Sequence, residues 1–305
     1  MVLSEAEQDA FVARLVGLET FAKGAVDYVS TRPPMRLLTR LLDSAASVRK
    51  PRGTVRVVMI SDTHERHHLL DLPPGDVLVH SGDLLLFNSS YSRETSMRKL
   101  TEFNEWLAAQ PYNDKVVVAG NHDHCLQSLG RDTVRKTLDS CTYLENDFCE
   151  LSWSRLRVYG SPASVPNPLP AWRGGGVSNS PNRAFQYTNQ GTTGEGYAGT
   201  EADLAAVFAA APANLDLLVV HGPIESMRPA REYVLKHRPP LVVCGHVHEE
   251  HGVKLLGDTV VVNATSMGPT FSPTEPPIVI DIPSPSPQRV STDALQSGHD
   301  RASRL

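Results

Sequence analysis

Between Val55 and Ile282 the chain reads as short apolar runs separated by polar, turn-forming segments. The runs are Val55–Ile60, Val77–His80, Lys115–Ala119, Leu156–Tyr159, Leu215–Val220, Leu241–Cys244, Val253–Leu256, Thr259–Val262 and Pro277–Ile282. Several are continuously apolar, which predicts strands buried on both faces. Helical patterns lie between some of them. Glu94–Ala109 is the clearest, with Met97, Leu100, Phe103 and Leu107 at three- and four-residue spacing, the stripe a helix needs to bury one face. Leu126–Leu138, Glu201–Ala210 and Ile224–Lys236 carry similar patterns. Strands alternating with helices predict an α/β domain. The strands near 253–282 follow one another without helices, as hairpins do. That favours two mixed sheets in layers over one open parallel sheet.

Three regions stand apart from this pattern. Residues 1–52 predict a helical extension: Ser4 and Glu7 have the spacing of a capping box, with Phe11, Leu15 and Leu18 following at helical intervals. A basic amphipathic stretch from Met35 to Val48 places Leu37, Leu38, Leu41 and Leu42 on one side. Such an extension suits packing on the domain, a protein partner or a second copy of the chain through residues 1–50. Ser161–Thr200 is dense in Gly, Pro, Asn and Ser, and loops this long are usually functional or disordered. Residues 284–305 follow in a Pro/Ser-rich, polar run that reads as a disordered tail. The domain itself is expected over 53–283.

Composition narrows the possibilities. With 305 residues, 40% hydrophobic and 21% charged, the chain can bury a sizeable core. A formal charge of −5 offers no electrostatic reason to bind a nucleic-acid polymer. No apolar run approaches the ~18 residues of a membrane span, and Glu5, Glu7 and Asp9 do not fit a secretory or transit leader. Cys125, Cys141, Cys149 and Cys244 form no C-x-x-C pair, so reduced thiols and a cytoplasmic location are expected. The sequons at Asn88 and Asn263 then read as chance matches.

Five blocks carry the chemistry, each an apolar strand ending in polar residues. They are Ser61-Asp62-Thr63-His64, Gly82-Asp83, Gly120-Asn121-His122-Asp123, His221-Gly222-Pro223 and Gly245-His246-Val247-His248. Ligands collect at strand ends in α/β sheets, and strand ends hold side chains rigidly. Asp62 with His64, and His246 with His248, stand two residues apart and can project to one side of an extended segment. Glycines before Asp83, Asn121 and His246 permit sharp turns and close approach. Carboxylate, amide oxygen and imidazole together suit divalent ions such as Mn²⁺, Fe²⁺ or Zn²⁺. Gly-Asp, Asp-x-His and a lone His each say little, whereas Gly-Asn-His-Asp and Gly-His-x-His say more. The five together, in this order and each at the end of an apolar strand, are specific.

These blocks resemble the pattern D-x-H, G-D, G-N-H-[DE], H and G-H-x-H of the calcineurin-like metallophosphoesterase superfamily, over about Val55 to Ile282. Within it the chain is similar to the metallophosphoesterase-domain-containing group, a branch related to class III cyclic-nucleotide phosphodiesterases. The finer likeness rests on the first and third blocks, on Phe103-Asn-Glu-Trp-Leu, and on Asn263-Ala-Thr followed by Phe271-Ser-Pro-Thr-Glu-Pro-Pro-Ile. The resemblance implies a layered α-β-β-α fold with two mixed sheets flanked by helices. It implies two divalent metal ions, with Asp62, His64 and His248 on the first, Asn121, His221 and His246 on the second, and Asp83 bridging both. A hydroxide shared by the ions would attack a small-molecule phosphoester, while His122, steadied by Asp123, gives a hydrogen bond or proton to the leaving group. A phosphodiester such as a 3′,5′-cyclic nucleotide is the implied substrate. The alternatives are a phosphomonoesterase, protein phosphatases included, and a weakly active metal-binding scaffold. The chain departs from the group at Leu85, where Thr is common. It keeps His246, which some members replace with Gly.

Other residues have two readings each. His67 and His68 either face substrate or sit in an exposed loop, and His80 reads as a core histidine. Trp172, Arg173 and Phe185 either rim the substrate or anchor their loop, and His251 is near the site by sequence proximity.

Overall fold

The computed structural model describes residues 50–86, 92–167, 180–188, 196–268 and 272–285, together with the backbone of 28–29 and 38–41. The first strands in chain order are β1 (Tyr28–Val29), β2 (Leu38–Leu41), β3 (Thr54–Ile60), β4 (Val77–His80), β5 (Asp114–Val117) and β6 (Thr142–Tyr143). Next come β7 (Asp147–Glu150), β8 (Arg157–Ser161) and the short pair β9 (Tyr187–Thr188) and β10 (Gly199–Thr200). The last five are β11 (Leu217–Val220), β12 (Leu241–Cys244), β13 (Gly252–Leu256), β14 (Thr259–Asn263) and β15 (Ile278–Pro283). They form a seven-stranded sheet of order β1-β2-β15-β3-β4-β5-β6 and a six-stranded sheet of order β13-β14-β12-β11-β8-β7. Both sheets are mixed. β3, β4, β5 and β6 run parallel with β15 antiparallel to β3, and β8, β11, β12 and β14 run parallel with antiparallel strands at either edge.

Side-chain alternation makes the layers. Val55, Val57 and Met59 of β3 face between the sheets, where they join Leu217, Val219, Leu241 and Val243 of β11 and β12 in one buried cluster. Val58 and Ile60 point the other way, against Leu100, Phe103, Leu107, Leu126 and Val134. Behind the second sheet, Leu218, Val220 and Val242 meet Leu204, Phe208, Tyr233 and Val234. The order is therefore helix, sheet, sheet, helix, with apolar area removed from water at all three contacts between these four layers.

Helix α1 (Arg93–Ala109) starts where the Ser92 hydroxyl accepts the Thr95 N–H at 3.1 Å, one of the donors a helix start leaves unpaired. It buries the expected Leu100, Phe103 and Leu107. The single helix expected over 126–138 is two, α2 (His124–Leu129) and α3 (Arg131–Thr137), broken at Gly130 with φ of 77°. Helix α4 (Glu201–Ala209) opens on a capping box of Thr200 and Asp203, and α5 (Arg228–His237) follows a 3₁₀ turn at Ile224–Ser226.

The helical extension expected over 1–52 does not hold at residues 38–41. They form β2, paired antiparallel with β15 from Ile278↔Leu41 to Asp281↔Leu38. A strand there covers the edge that β15 would otherwise expose. Apart from β1 at 28–29, which pairs with β2, the rest of 1–49 and the tail from 286 onward lie outside the described residues. Between β3 and β15, the buried Asp281 carboxylate accepts Arg56 Nε and Nη2 at 2.8 Å each, a two-point pairing that fixes the strands' register.

Candidate metal centre

The five blocks leave the same ends of their parallel strands: β3, β4 and β5 in one sheet, and β11 and β12 in the other. The two sets of loops are tied together at that edge. Ser61 bridges Thr265, the Ser81 hydroxyl donates to Cys244 O at 3.0 Å, and Asp62 N–H donates to Gly82 O at 2.8 Å. Tight turns are needed to aim the side chains inward. Asp62, His64, Asp83 and His246 have φ of 54°, 43°, 55° and 73°, a left-handed conformation uncommon for such residues and often found at functional sites.

Two glycines make room. A Cβ at Gly120 would overlap Asp83 Oδ1, and one at Gly245 would overlap Ser61 Oγ and Asp62 Oδ2. Of the glycines noted beside the polar blocks, these two serve close approach to the carboxylates, while Gly82 makes room for the His221 ring.

The side chains converge in three overlapping groups, each with ligand atoms within 4.8 Å of one another: Asp62, His64 and His248; His64, Asp83 and His122; Asp83, His221 and His246. Asp83 Oδ1 lies 3.4 Å from His221 Nε2 and accepts the His122 backbone N–H at 2.8 Å, while Oδ2 lies 3.9 Å from His64 Nε2. Asn121 Oδ1 is 2.9 Å from His221 Nε2. His64 and His248 face each other, and Asp62 Oδ1 is 3.6 Å from His248.

The outer nitrogen of each imidazole decides which inner one has a free lone pair. His221 Nδ1 is 2.9 Å from Ser81 O, so its Nε2 is the unprotonated atom. His246 Nε2 is 3.0 Å from Val165 O, which leaves Nδ1 as its ligand atom. His64 Nδ1 reaches Leu85 O at 3.4 Å and leaves Nε2 inward. Such outer hydrogen bonds are how metal-binding histidines are oriented.

Electrostatics agree with this donor set. Burial lowers His64 to about 4, His246 to about 3 and His122 to about 2, with neighbouring imidazoles adding to the effect. His221 is lowered too, chiefly by burial. At neutral pH these rings are uncharged electron-pair donors. Burial and the Asp62 and Asp123 carboxylates push Asp83 well above the usual carboxylate range. Burial opposes ionisation of Asp62, but its hydrogen bond to His248 and the nearby imidazoles hold it below that range. His248 is raised: burial works against its charge, and Asp62 outweighs burial. Buried carboxylates and neutral imidazoles aimed at common points lack positive charge, and divalent ions fit what they offer.

Asp123 does something other than steady the His122 ring. Its carboxylate accepts the backbone N–H groups of Leu84 at 3.2 Å, Leu85 at 2.9 Å and Gly120 at 2.7 Å. These donors lie where two chain turns would otherwise bury unpaired N–H groups, so Asp123 locks the second block to the third. Burial still raises it to about 7 against those hydrogen bonds. Leu85, where the resemblance leads one to expect Thr, contributes its backbone here and buries its side chain.

The residues with two readings fall on one side each. His67 is buried against Phe103 and Trp106, with ring centroids 5.0 and 4.9 Å apart, while His68 is exposed. His80 is a core histidine with a further task. Its Nε2 is 2.9 Å from Thr63 Oγ1 and its Nδ1 accepts the Gly82 N–H at 3.3 Å, so it spans the first two blocks. Phe185 packs in the cluster beneath α1–α3 and anchors its loop. His251 donates to Pro276 O at 3.0 Å. Asn263 is buried and donates to Val247 O at 2.9 Å, as a structural residue would. Trp172, Arg173 and Asn88 lie outside the described residues.

Asn182 is the site neighbour that no motif marked. Its carbonyl accepts Asn121 Nδ2 at 3.0 Å and its Nδ2 stands 3.1 Å from His122 Nε2. The only signal was its place in a long loop rich in Gly, Pro and Asn. All four cysteines are free thiols. No helix of the described residues is long and apolar enough to cross a membrane.

Comparison with known proteins agrees with the geometry. The sequence profile of the calcineurin-like phosphoesterases matches residues 55–250. Metallophosphoesterase domain-containing protein 1 of Homo sapiens is 30% identical over 275 residues, covering 77% of this chain and 73% of that protein. A UPF0046 protein of Caenorhabditis elegans is 28% identical over 291 residues, covering 83% of this chain and 86% of its own length.

Proposed function

The chain belongs to the calcineurin-like phosphoesterase family, and from that premise we propose that it is a two-metal phosphodiesterase acting on a small-molecule diester. The observation that carries this reading is the place of Asp83, which shares one group with His64 and another with His221 and His246. In this reading Asp62, His64 and His248 hold one divalent ion, Asn121, His221 and His246 hold the other, and Asp83 serves both. Manganese, iron and zinc all suit these donors. When bound, such a pair of ions supplies polarisation of the phosphoryl oxygens and acidification of water.

The chain's own residues supply the rest. His122, an uncharged ring, gives a hydrogen bond from its N–H to the departing oxygen. Asp123 holds the turn that presents His122, through three backbone N–H groups. Hydrogen bonds from the outer imidazole nitrogens to Ser81 O and Val165 O keep His221 and His246 aimed before substrate arrives.

The preference for a diester draws on the resemblance to class III cyclic-nucleotide phosphodiesterases. A cytoplasmic location goes with the reading and with four unpaired thiols. The test is turnover of cyclic nucleotides, bis(4-nitrophenyl) phosphate and 4-nitrophenyl phosphate after loading with each metal. A higher kcat/KM for the diesters is expected. Preference for the monoester moves the reading to a phosphomonoesterase, and two bound ions without turnover move it to a metal-binding scaffold.

A further inference from the structure

Residues 180–188 lie along the third block. Asn182 O accepts Asn121 Nδ2 at 3.0 Å, Arg183 N–H donates to His124 Nε2 at 3.3 Å, and Ala184 N–H donates to Asn121 O at 3.2 Å. The segment is pinned from below, because Ala184 and Phe185 are buried in the cluster under α1–α3. Asn182 itself is held at its N–H, which donates to Ser180 Oγ at 3.1 Å. A backbone on so many fixed points presents the Asn182 side chain from one place. Its amide ends 3.1 Å from His122 Nε2, the nitrogen that also lies 4.0 Å from Asp83 Oδ2.

Asp123, the expected partner of that ring, spends its carboxylate on backbone N–H groups of Leu84, Leu85 and Gly120. We infer that Asn182 is the positioning residue of His122: its amide fixes the plane and the tautomer of the imidazole that faces the leaving group. The inference rests on the reading of His122 as hydrogen-bond donor to the departing oxygen. A neutral imidazole exists in two tautomers, and one hydrogen bond to a ring nitrogen selects between them. Amide nitrogen and oxygen exchange places by a half-turn, and with the oxygen toward the ring Asn182 accepts from Nε2–H and keeps the proton on the nitrogen nearer Asp83. One tautomer wins, and the ring is held without a second charge beside Asp83.

Kinetics and a spectroscopic readout test it together. In Asn182→Ala, measured per metal-loaded protein, esters with poor leaving groups should slow about tenfold and nitrophenyl esters much less, a fraction of what a general acid contributes. The His122→Ala/Asn182→Ala double variant should be no slower than His122→Ala, as residues acting as a unit are non-additive. In the full chain with ¹⁵N-labelled histidine, the His122 ring nitrogens should report one tautomer, and a mixture in Asn182→Ala.

Equal slowing of good and poor leaving groups in Asn182→Ala, additive losses, or an unchanged tautomer would each overturn the assignment. If His122→Ala itself slows all esters equally, the hydrogen-bond-donor reading has failed instead. Should Asn182→Ala not fold, Asn182→Ser, which keeps a hydroxyl but shortens the reach, is read by the same tautomer measurement.

Discussion

His64 and His248 leave different sheets, and their Nε2 atoms stand 3.4 Å apart. One follows β3 and the other follows β12, so neither sheet alone can assemble this half of the centre. Two nitrogen lone pairs so close repel unless a proton or a cation lies between them. The Asp62 carboxylate, 3.6 Å from His248, adds the charge that a cation would balance. The site is thus a seam between the sheets, and its integrity depends on their packing.

Asp83 offers the most decisive substitution. Asp83→Ala is expected to lose both metal ions and to lower turnover by roughly 10³-fold or more, as removal of a ligand shared by two catalytic metals should. Elemental analysis of the purified, metal-reconstituted protein checks this. Two ions per chain in the variant would defeat the shared-ligand assignment.

Gly245→Ala tests the close approach. A Cβ there overlaps Ser61 Oγ and Asp62 Oδ2, so Asp62 must move. Metal affinity should fall roughly 10- to 100-fold, the scale of losses when groups that orient ligands are disturbed. Titration with Zn²⁺ against a competing chelator measures it, and wild-type affinity would show that Asp62 has room to spare.

Acid stability should depend on His67, away from the metal centre. Burial beside Phe103 and Trp106 lowers it to about 4 from the ordinary histidine value of 6.5. Between these values the unfolded chain takes up a proton that the folded one refuses. Stability is therefore fully present above about pH 6.5 and is lost as pH falls toward 4. The loss attributable to this residue is of order 2–3 kcal/mol. Urea unfolding at pH 7 and pH 4.5 should show a smaller loss in His67→Gln than in the native chain. Equal losses would place the acid sensitivity elsewhere.

Asp281→Ala should destabilise the fold by about 3–5 kcal/mol, because Arg56 then keeps a buried charge with its bidentate partner removed. Replacing both, as Arg56→Met with Asp281→Leu, should recover most of that. Chemical denaturation of the two variants decides. A double variant as unstable as the single one would mean that the pair matters for more than mutual neutralisation.

The sheet-and-helix plan was legible because it is local. Continuous apolar runs such as Leu241–Cys244 and the stripe Leu100, Phe103, Leu107 record burial directly. The convergence of the polar blocks was legible because each follows a strand and every strand end in a parallel array faces one edge. What could not be read depends on distant pairing. Leu38–Leu41 has an amphipathic look that suits a helix, and only the free edge of β15, over two hundred residues later, makes it a strand. Gly130 divides α2 from α3 by a backbone angle that spacing alone does not reveal. Asp123 beside His122 suggested a pair, yet the unpaired N–H groups of two turns claimed its oxygens. Asn182 had no signature because its role comes from where Phe185 pins the loop.

The left-handed backbone at Asp62, His64, Asp83 and His246 has a consequence for how metal enters. These turns are held by strand-end hydrogen bonds and core packing. A site framed in this way is a rigid receptor rather than a chain that folds around its metal. Uptake should track how quickly each aquo ion sheds its water and hardly slow with added denaturant below the unfolding transition. A cell's supply of metals, more than any rearrangement of the protein, would decide which ions it carries.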